Sequence, residues 1–257
     1  MLLLITLTAL TAIAGFLIAN GSLAWFADNY EVSANGLSAK AQVSPNLVIV
    51  KSEEDFANGN LGFSVDMNST DNANMIAITR DENPPYDYVF PNNLHAIDSV
   101  TGNAKPGAEL YFDTVPSDGD GTYFIDYTVY IASTEKPLAV DSLKAAVTIP
   151  ESVDLLHNYF MAASVDFYVD SVSEENYRGT ASVADAQSGD ESTGVDIFAT
   201  VSGTVPFYKD GSIKIIMRCY FDGALQDSEG NAYINSYTVR TDGVVIGVTF
   251  TAEEAEG

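Results

Sequence analysis

Few side chains in this 257-residue chain could do chemistry: two histidines, His95 and His157, one cysteine, Cys219, and a scatter of short acidic runs. A zinc peptidase of the H-E-x-x-H kind needs two histidines four apart on one helix, with a glutamate base. His95 and His157 are far apart in sequence and neither belongs to such a motif. His95 follows the turn Pro91-Asn92-Asn93, and His157 stands beside Leu155, Leu156 and Phe160, so both read as packed or surface histidines. No G-x-S-x-G turn marks a nucleophilic serine, and no glycine-rich loop is built to cradle phosphate. A Ser-His-Asp triad drawn from distant segments is left open by the sequence. Cys219 alternates with Ile213, Ile215, Met217 and Phe221, which reads as a small buried hydrophobe rather than a nucleophile. A lone cysteine also rules out an intramolecular disulfide.

Calcium is the one cofactor with a candidate. Asp118-Gly119-Asp120-Gly121 places carboxylates at alternate positions between permissive glycines, which suits oxygen coordination. The run lacks a third acidic position and the distant bidentate glutamate of an EF-hand, so a plain turn is the stronger expectation. Asp227, Glu229 and Asn231 form a similar, weaker run.

The elements around these residues are strands. Period-two alternation dominates after residue 30. Strands are expected at Asn46–Lys51, Leu61–Asp66, Tyr123–Ile131, Ser212–Phe221 and Val244–Phe250, with one strand or a pair of strands over Leu138–Ile149. Another is expected where Val165, Phe167 and Val169 face one way while Asp166, Tyr168 and Asp170 face the other. β-branched and aromatic residues fill these runs, as a pleated surface prefers. Asp210-Gly211 and Asp242-Gly243, flanked by apolar runs, read as hairpin turns. One short helix is expected around Ser152–Ala162, and a mobile loop over Ala181–Thr193. Many short strands with frequent turns imply an all-β, jelly-roll-like antiparallel β-sandwich with one short helix and long loops. Each sheet then has one wet face and one dry face.

Charge narrows the partners. The formal net charge is −25, from 36 acidic and 11 basic residues. Nucleic-acid binding rests on Lys and Arg neutralising phosphate, so this balance argues against it, and against anionic membrane surfaces. The first charged residue is Asp28, and residues 1–24 are apolar or small. Ser22-Leu23-Ala24 fits the small-x-small exit of a signal peptide, with cleavage expected between Ala24 and Trp25. A retained hydrophobic helix is the other reading, since about 20 apolar residues span a bilayer. The expected organisation is a signal peptide over 1–24, an N-terminal segment over 25–44, and one sandwich domain over 45–257. The mature chain is then secreted and extracellular, with no stable membrane association.

The stretch Gly21-Ser22-Leu23-Ala24-Trp25-Phe26-Ala27-Asp28-Asn29 resembles the processing junction of the TasA/camelysin family of exported bacterial matrix proteins. Val32-Ser33-Ala34-Asn35-Gly36-Leu37 resembles the segment that follows that junction. Lys105-Pro106-Gly107-Ala108-Glu109 resembles the family's turn before a long central strand, and Val248-Thr249-Phe250-Thr251-Ala252 its ending. These motifs span 25 of the 257 residues, about a tenth of the chain. The resemblance implies cleavage by a dedicated signal peptidase and a jelly-roll-like sandwich. It also implies biofilm-matrix fibres in which the N-terminal strand of one subunit completes the sheet of the next. Val32, Ala34, Leu37, Ala39, Ala41 and Val43 then form the intermolecular strand, and the partner is a second copy of the chain. The alternative expectation is a monomeric secreted or surface-anchored binding module for a glycan or host ligand, with Tyr86, Tyr88, Phe90 and Tyr111 lining its surface. A camelysin-like peptidase is the third reading, and the histidine count disfavours it; the chain is expected not to be an enzyme.

Overall fold

The fold was read from a computed structural model, which describes residues 36–41, 46–62, 64–68, 75–81, 87–92, 96, 98, 105–148, 158–187, 194–227, 229–230, 233–234, 238–239 and 245–255. All of them fall in one unit, Ala34–Gly257. The expected cleavage point at Ala24 and Trp25, both histidines, Val32, Ala34, Val43, Tyr86 and the Asp242-Gly243 turn lie outside the described residues.

The chain is an all-β sandwich. One sheet joins β1 (Gly36–Ala41), β3 (Ser64–Asn68), β9 (Lys144–Thr148), β12 (Val195–Asp196) and β15 (Val245–Thr251), in the order β12-β9-β15-β1-β3. The other joins β2 (Leu47–Val50), β8 (Ile125–Ser133), β10 (Ala163–Val169), β11 (Tyr177–Ser182) and β13 (Ile213–Phe221), in the order β11-β10-β13-β8-β2. The chain crosses between the sheets at most connections, as in a jelly roll. Alternation buries one face of each strand between them. Val129, Ile131, Val165, Phe167, Ile215 and Met217 from the second sheet meet Ala145, Val147, Val248 and Phe250 from the first. Phe167 and Phe250 meet edge to face across the gap, ring centroids 6.3 Å apart.

The strands sit close to their expected places, with three corrections. Of the strand expected over Leu138–Ile149, the described part forms isolated bridges at Leu138 and Ala139, a 3-10 turn at Val140–Ser142, and a strand only over Lys144–Thr148. Asp210-Gly211 is a turn, closed by Asp210 N–H and Gly211 N–H donating to the Phe207 carbonyl. It is not a two-residue hairpin, because the preceding strand β12 lies in the opposite sheet from β13. The first half of the expected loop Ala181–Thr193 is structured. Ala181 and Ser182 end β11, and α2 (Val183–Gln187) follows. Ser182 and Asp185 cap it reciprocally: Asp185 N–H donates to Ser182 Oγ at 3.1 Å, and Ser182 N–H donates to Asp185 Oδ2 at 3.3 Å. A second short helix, α1 (Glu53–Ala57), begins at the N-cap Ser52. Of the helix expected at Ser152–Ala162, the described part, Asn158–Ala162, is 3-10.

The larger departure concerns the outer face of the second sheet. All seven residues of β10 are buried, not every second one. A further layer covers that face: β5 (Thr79–Arg80), β6 (Tyr88–Pro91) and β7 (Phe112–Thr114) form a small antiparallel sheet. Beside it β4 (Met75–Ile76) pairs with β14 (Thr238–Val239). The layer is stitched to β13, since Ile78 N–H donates to the Phe221 carbonyl and Gly223 N–H donates to that of Ile78. Beneath it Ile78, Tyr88, Phe124 and Tyr220 make a separate small core.

Candidate functional site

Register builds a polar row under this layer. Thr180 of β11 stands opposite Asp166 of β10, Asp166 opposite Arg218 of β13, and Arg218 opposite Asp126 of β8. Four strands thus bring an oxygen donor, two carboxylates and a guanidinium side by side. Arg218 forks onto Asp126, Nε to Oδ1 at 2.8 Å and Nη2 to Oδ2 at 2.6 Å. The same guanidinium carbon lies 3.6 Å from the centre of the Phe124 ring, so charge and ring face lock it together.

Asp166 is fully buried. Its carboxylate accepts from Thr180 Oγ1 at 2.5 Å, from Tyr220 hydroxyl at 3.1 Å, and from the Tyr88 hydroxyl. Arg80 Nε approaches to 4.0 Å from β5, and the Arg80 guanidinium stacks on Tyr177 at 3.8 Å. The Tyr88 proton is spent on Asp166, so Tyr168 hydroxyl donates to Tyr88 across 2.6 Å. Burial pushes the Asp166 carboxyl above its ordinary range, against the pull of Thr180, Tyr88, Arg80 and Tyr220. Burial, then the Asp166 charge, pushes Tyr168 up to about 12. The same two causes hold Tyr88 and Tyr220 protonated. Burial lowers Arg218's proton affinity, and the Asp126 pair more than restores it.

A cleft of about 400 Å³ opens above this row, between the covering layer and the segment after β10. Arg80 and Arg218 line it together with Asp87, Glu174, Tyr88 and Tyr168. Asp170, at φ 67°, turns the chain out of β10 toward the cleft wall, a left-handed conformation that Asp tolerates better than most residues. On that wall the Ser173 hydroxyl is buried and has no hydrogen-bond partner.

A second feature lies in the other sheet. β1 comes from the expected N-terminal segment and pairs with two strands at once. It runs parallel to β15, from Gly36 opposite Val245 to Ala41 opposite Phe250. It runs antiparallel to β3, from Gly36 opposite Asn68 to Lys40 opposite Ser64. Leu37 and Ala39 stand at the registers of Ile246 and Val248, whose side chains belong to the core. Every other pairing between named strands is antiparallel.

The remaining expected residues are not drawn together. Asp118 and Asp120 are exposed on a turn closed by its own backbone, in which Gly119 N–H donates to the Pro116 carbonyl and Tyr123 N–H donates to that of Gly119. Asp120 Oδ1 accepts from Asp126 N–H at 3.3 Å. Asp227 Oδ1 accepts from Glu229 N–H at 2.8 Å, an Asx turn; Asn231 lies outside the described residues. No group of three His, Cys, Asp or Glu side chains able to hold a metal occurs among the described residues. Cys219 is buried in the main core, and burial pushes its thiol up. Among the aromatic candidates Tyr88 is buried, Phe90 packs on Tyr123 with centroids 5.0 Å apart, and Tyr111 is exposed. Among the described residues, no helix is long and apolar enough to cross a membrane.

The sequence reading assigned Asp166 and Tyr168 to one face but named neither as a site. Strand alternation carries the signal for that face; the partners come from strands distant in sequence. Comparison with protein-family models, with curated proteins and with solved structures finds no match for this chain.

Proposed function

We propose that the chain is a secreted structural subunit that polymerises into an extracellular matrix fibre by donating its N-terminal strand to a neighbouring copy. The observation that carries this reading is the place of β1: an N-terminal strand inserted between β15 and β3 inside a sheet. Without it, β15 and the edge strand β3 face each other across an open slot with unpaired backbone. β1 enters that slot from the start of the folded unit, so the same segment of another copy fills it with the same contacts. Exchange of identical elements is a low-cost route to assembly, and head-to-tail exchange gives open filaments.

The energetics permit exchange. Each backbone hydrogen bond contributes about 0.5–1.5 kcal/mol net. Ordering each residue costs about 1–2 kcal/mol. For a strand with six partners on β15 and five on β3, these terms nearly offset. A strand of the same sequence makes the same pairing whichever copy supplies it. The linkers and the protein concentration set the choice between self-insertion and donation. The apolar residues 1–24 supply export, with cleavage after Ala24.

Negative-stain microscopy of the mature chain from Trp25 tests the proposal. The full mature chain forms filaments. A chain lacking residues 25–43 stays soluble and does not elongate, and a peptide of residues 25–43 added in trans caps growing ends. Normal filaments from the truncated chain would show that polymerisation uses another surface.

A further inference from the structure

The cleft above the polar row has no part in strand donation, and its lining has a definite chemistry. It carries two cations, Arg80 and Arg218, in a chain whose net charge is −25 and which has only 11 basic residues. It carries two exposed carboxylates, Asp87 and Glu174. Val115, Pro116 and Val172 supply apolar wall, and Val172 is 38 % exposed. Its volume of about 400 Å³ lies within the range of small-molecule sites.

Two features decide the class of ligand. First, no described ring in the cleft offers an open face on which a sugar could stack. Tyr88, Phe124 and Tyr168 are 8, 2 and 3 % exposed, and Arg218 covers the Phe124 ring. Second, a purely anionic ligand is repelled by the field of the whole chain, whereas a molecule with balanced charges is not. The lining is itself balanced. Arg218 is held rigid by Asp126 through Nε and Nη2, which leaves Nη1 outside that fork. Ser173 Oγ is a buried donor in want of an acceptor.

We propose that this cleft binds a small zwitterion, a free α-amino acid with an aliphatic side chain, whose carboxylate meets Arg218 and Ser173 and whose ammonium meets Asp87 and Glu174. The side chain lies against Val115, Pro116 and Val172. Arg80, fixed on Tyr177, adds positive field at the carboxylate end.

Calorimetric titration of the full mature chain with L-leucine, L-leucine methyl ester and N-acetyl-L-leucine tests this. The ester lacks the carboxylate and the acetyl derivative lacks the ammonium. Leucine saturates the site, and each blocked form binds about tenfold more weakly or worse, as expected for loss of one charge-assisted pair. Leucine affinity changes little with added salt, because the ligand has no net charge. Val172→Trp fills the mouth of the cleft from an exposed position and abolishes binding without moving the melting temperature of the free protein. Ser173→Ala removes a hydroxyl that has no partner, so it leaves the fold unchanged and lowers leucine affinity. No saturation by leucine up to about 10 mM overturns the proposal. So does equal binding of the acetyl derivative, or full binding by both Val172→Trp and Ser173→Ala.

Discussion

Replacing Asp166 by alanine removes the acceptor that ties the covering layer to the sandwich. Three hydroxyls lose an acceptor: Tyr88, Tyr220 and Thr180. Thr180 is exposed and turns to water, so its loss is small. Tyr88, 8 % exposed, keeps the Tyr168 hydroxyl 2.6 Å away and can turn its proton to it, whereas Tyr220, 3 % exposed, has no such escape. A buried donor left unsatisfied costs about 1–3 kcal/mol. That one donor, together with the weakened hold on Arg80, gives an expected loss of about 2–4 kcal/mol. Asp166→Asn keeps the shape and one acceptor oxygen, and costs less, about 1–2 kcal/mol. The damage is local first. Asp166 faces the layer of β5–β7, and the main core between the two large sheets does not include it. Urea unfolding of wild type and both variants gives the free energies, and limited proteolysis followed by mass spectrometry locates the first cuts. Cuts in Asp166→Ala are expected within residues 75–124, ahead of any in the sandwich strands. An Asp166→Ala protein within about 1 kcal/mol of wild type, with no new cuts there, refutes the hub.

Further outcomes follow from other parts of the fold. Asp166 has a folded pKa above its unfolded one, so its contribution to stability is fully present below the unfolded pKa. That contribution is lost as pH rises through the folded value. The advantage of wild type over Asp166→Asn in urea midpoint is therefore greater at pH 4 than at pH 8; a reversed trend contradicts the dominance of burial. Gly179 sits at φ 145° where β11 bulges against β10, and a Cβ there would lie 2.9 Å from Val195 Cγ1. Gly179→Ala combines a strained backbone with a steric push on β12, and thermal unfolding should show a loss of about 1–3 kcal/mol. Millimolar calcium should leave the melting temperature unchanged, because the Asp118–Asp120 turn is closed by its own backbone. A rise that Asp120→Asn abolishes would establish calcium binding at this turn.

The sequence by itself determined the fold class and the position of most strands. β-Branched and aromatic residues at period two report a pleated surface locally, without knowledge of partners. Both short helices were legible too, though they were not read: Ser52 three before Asp55, and Ser182 three before Asp185, are capping signatures. Alternation also placed Asp166 and Tyr168 on one face of β10. It could not say that this face is dry, because the residues that cover it, Arg80 and Tyr88, come from strands far away in the chain. Nor could it align Thr180, Asp166, Arg218 and Asp126, since each strand's own pattern is unchanged when it slides by two residues against its neighbour. Register is a property of pairs of strands. The polar row, the cleft above it and the slot that holds β1 all depend on such pairings, and so only the tertiary structure decided them.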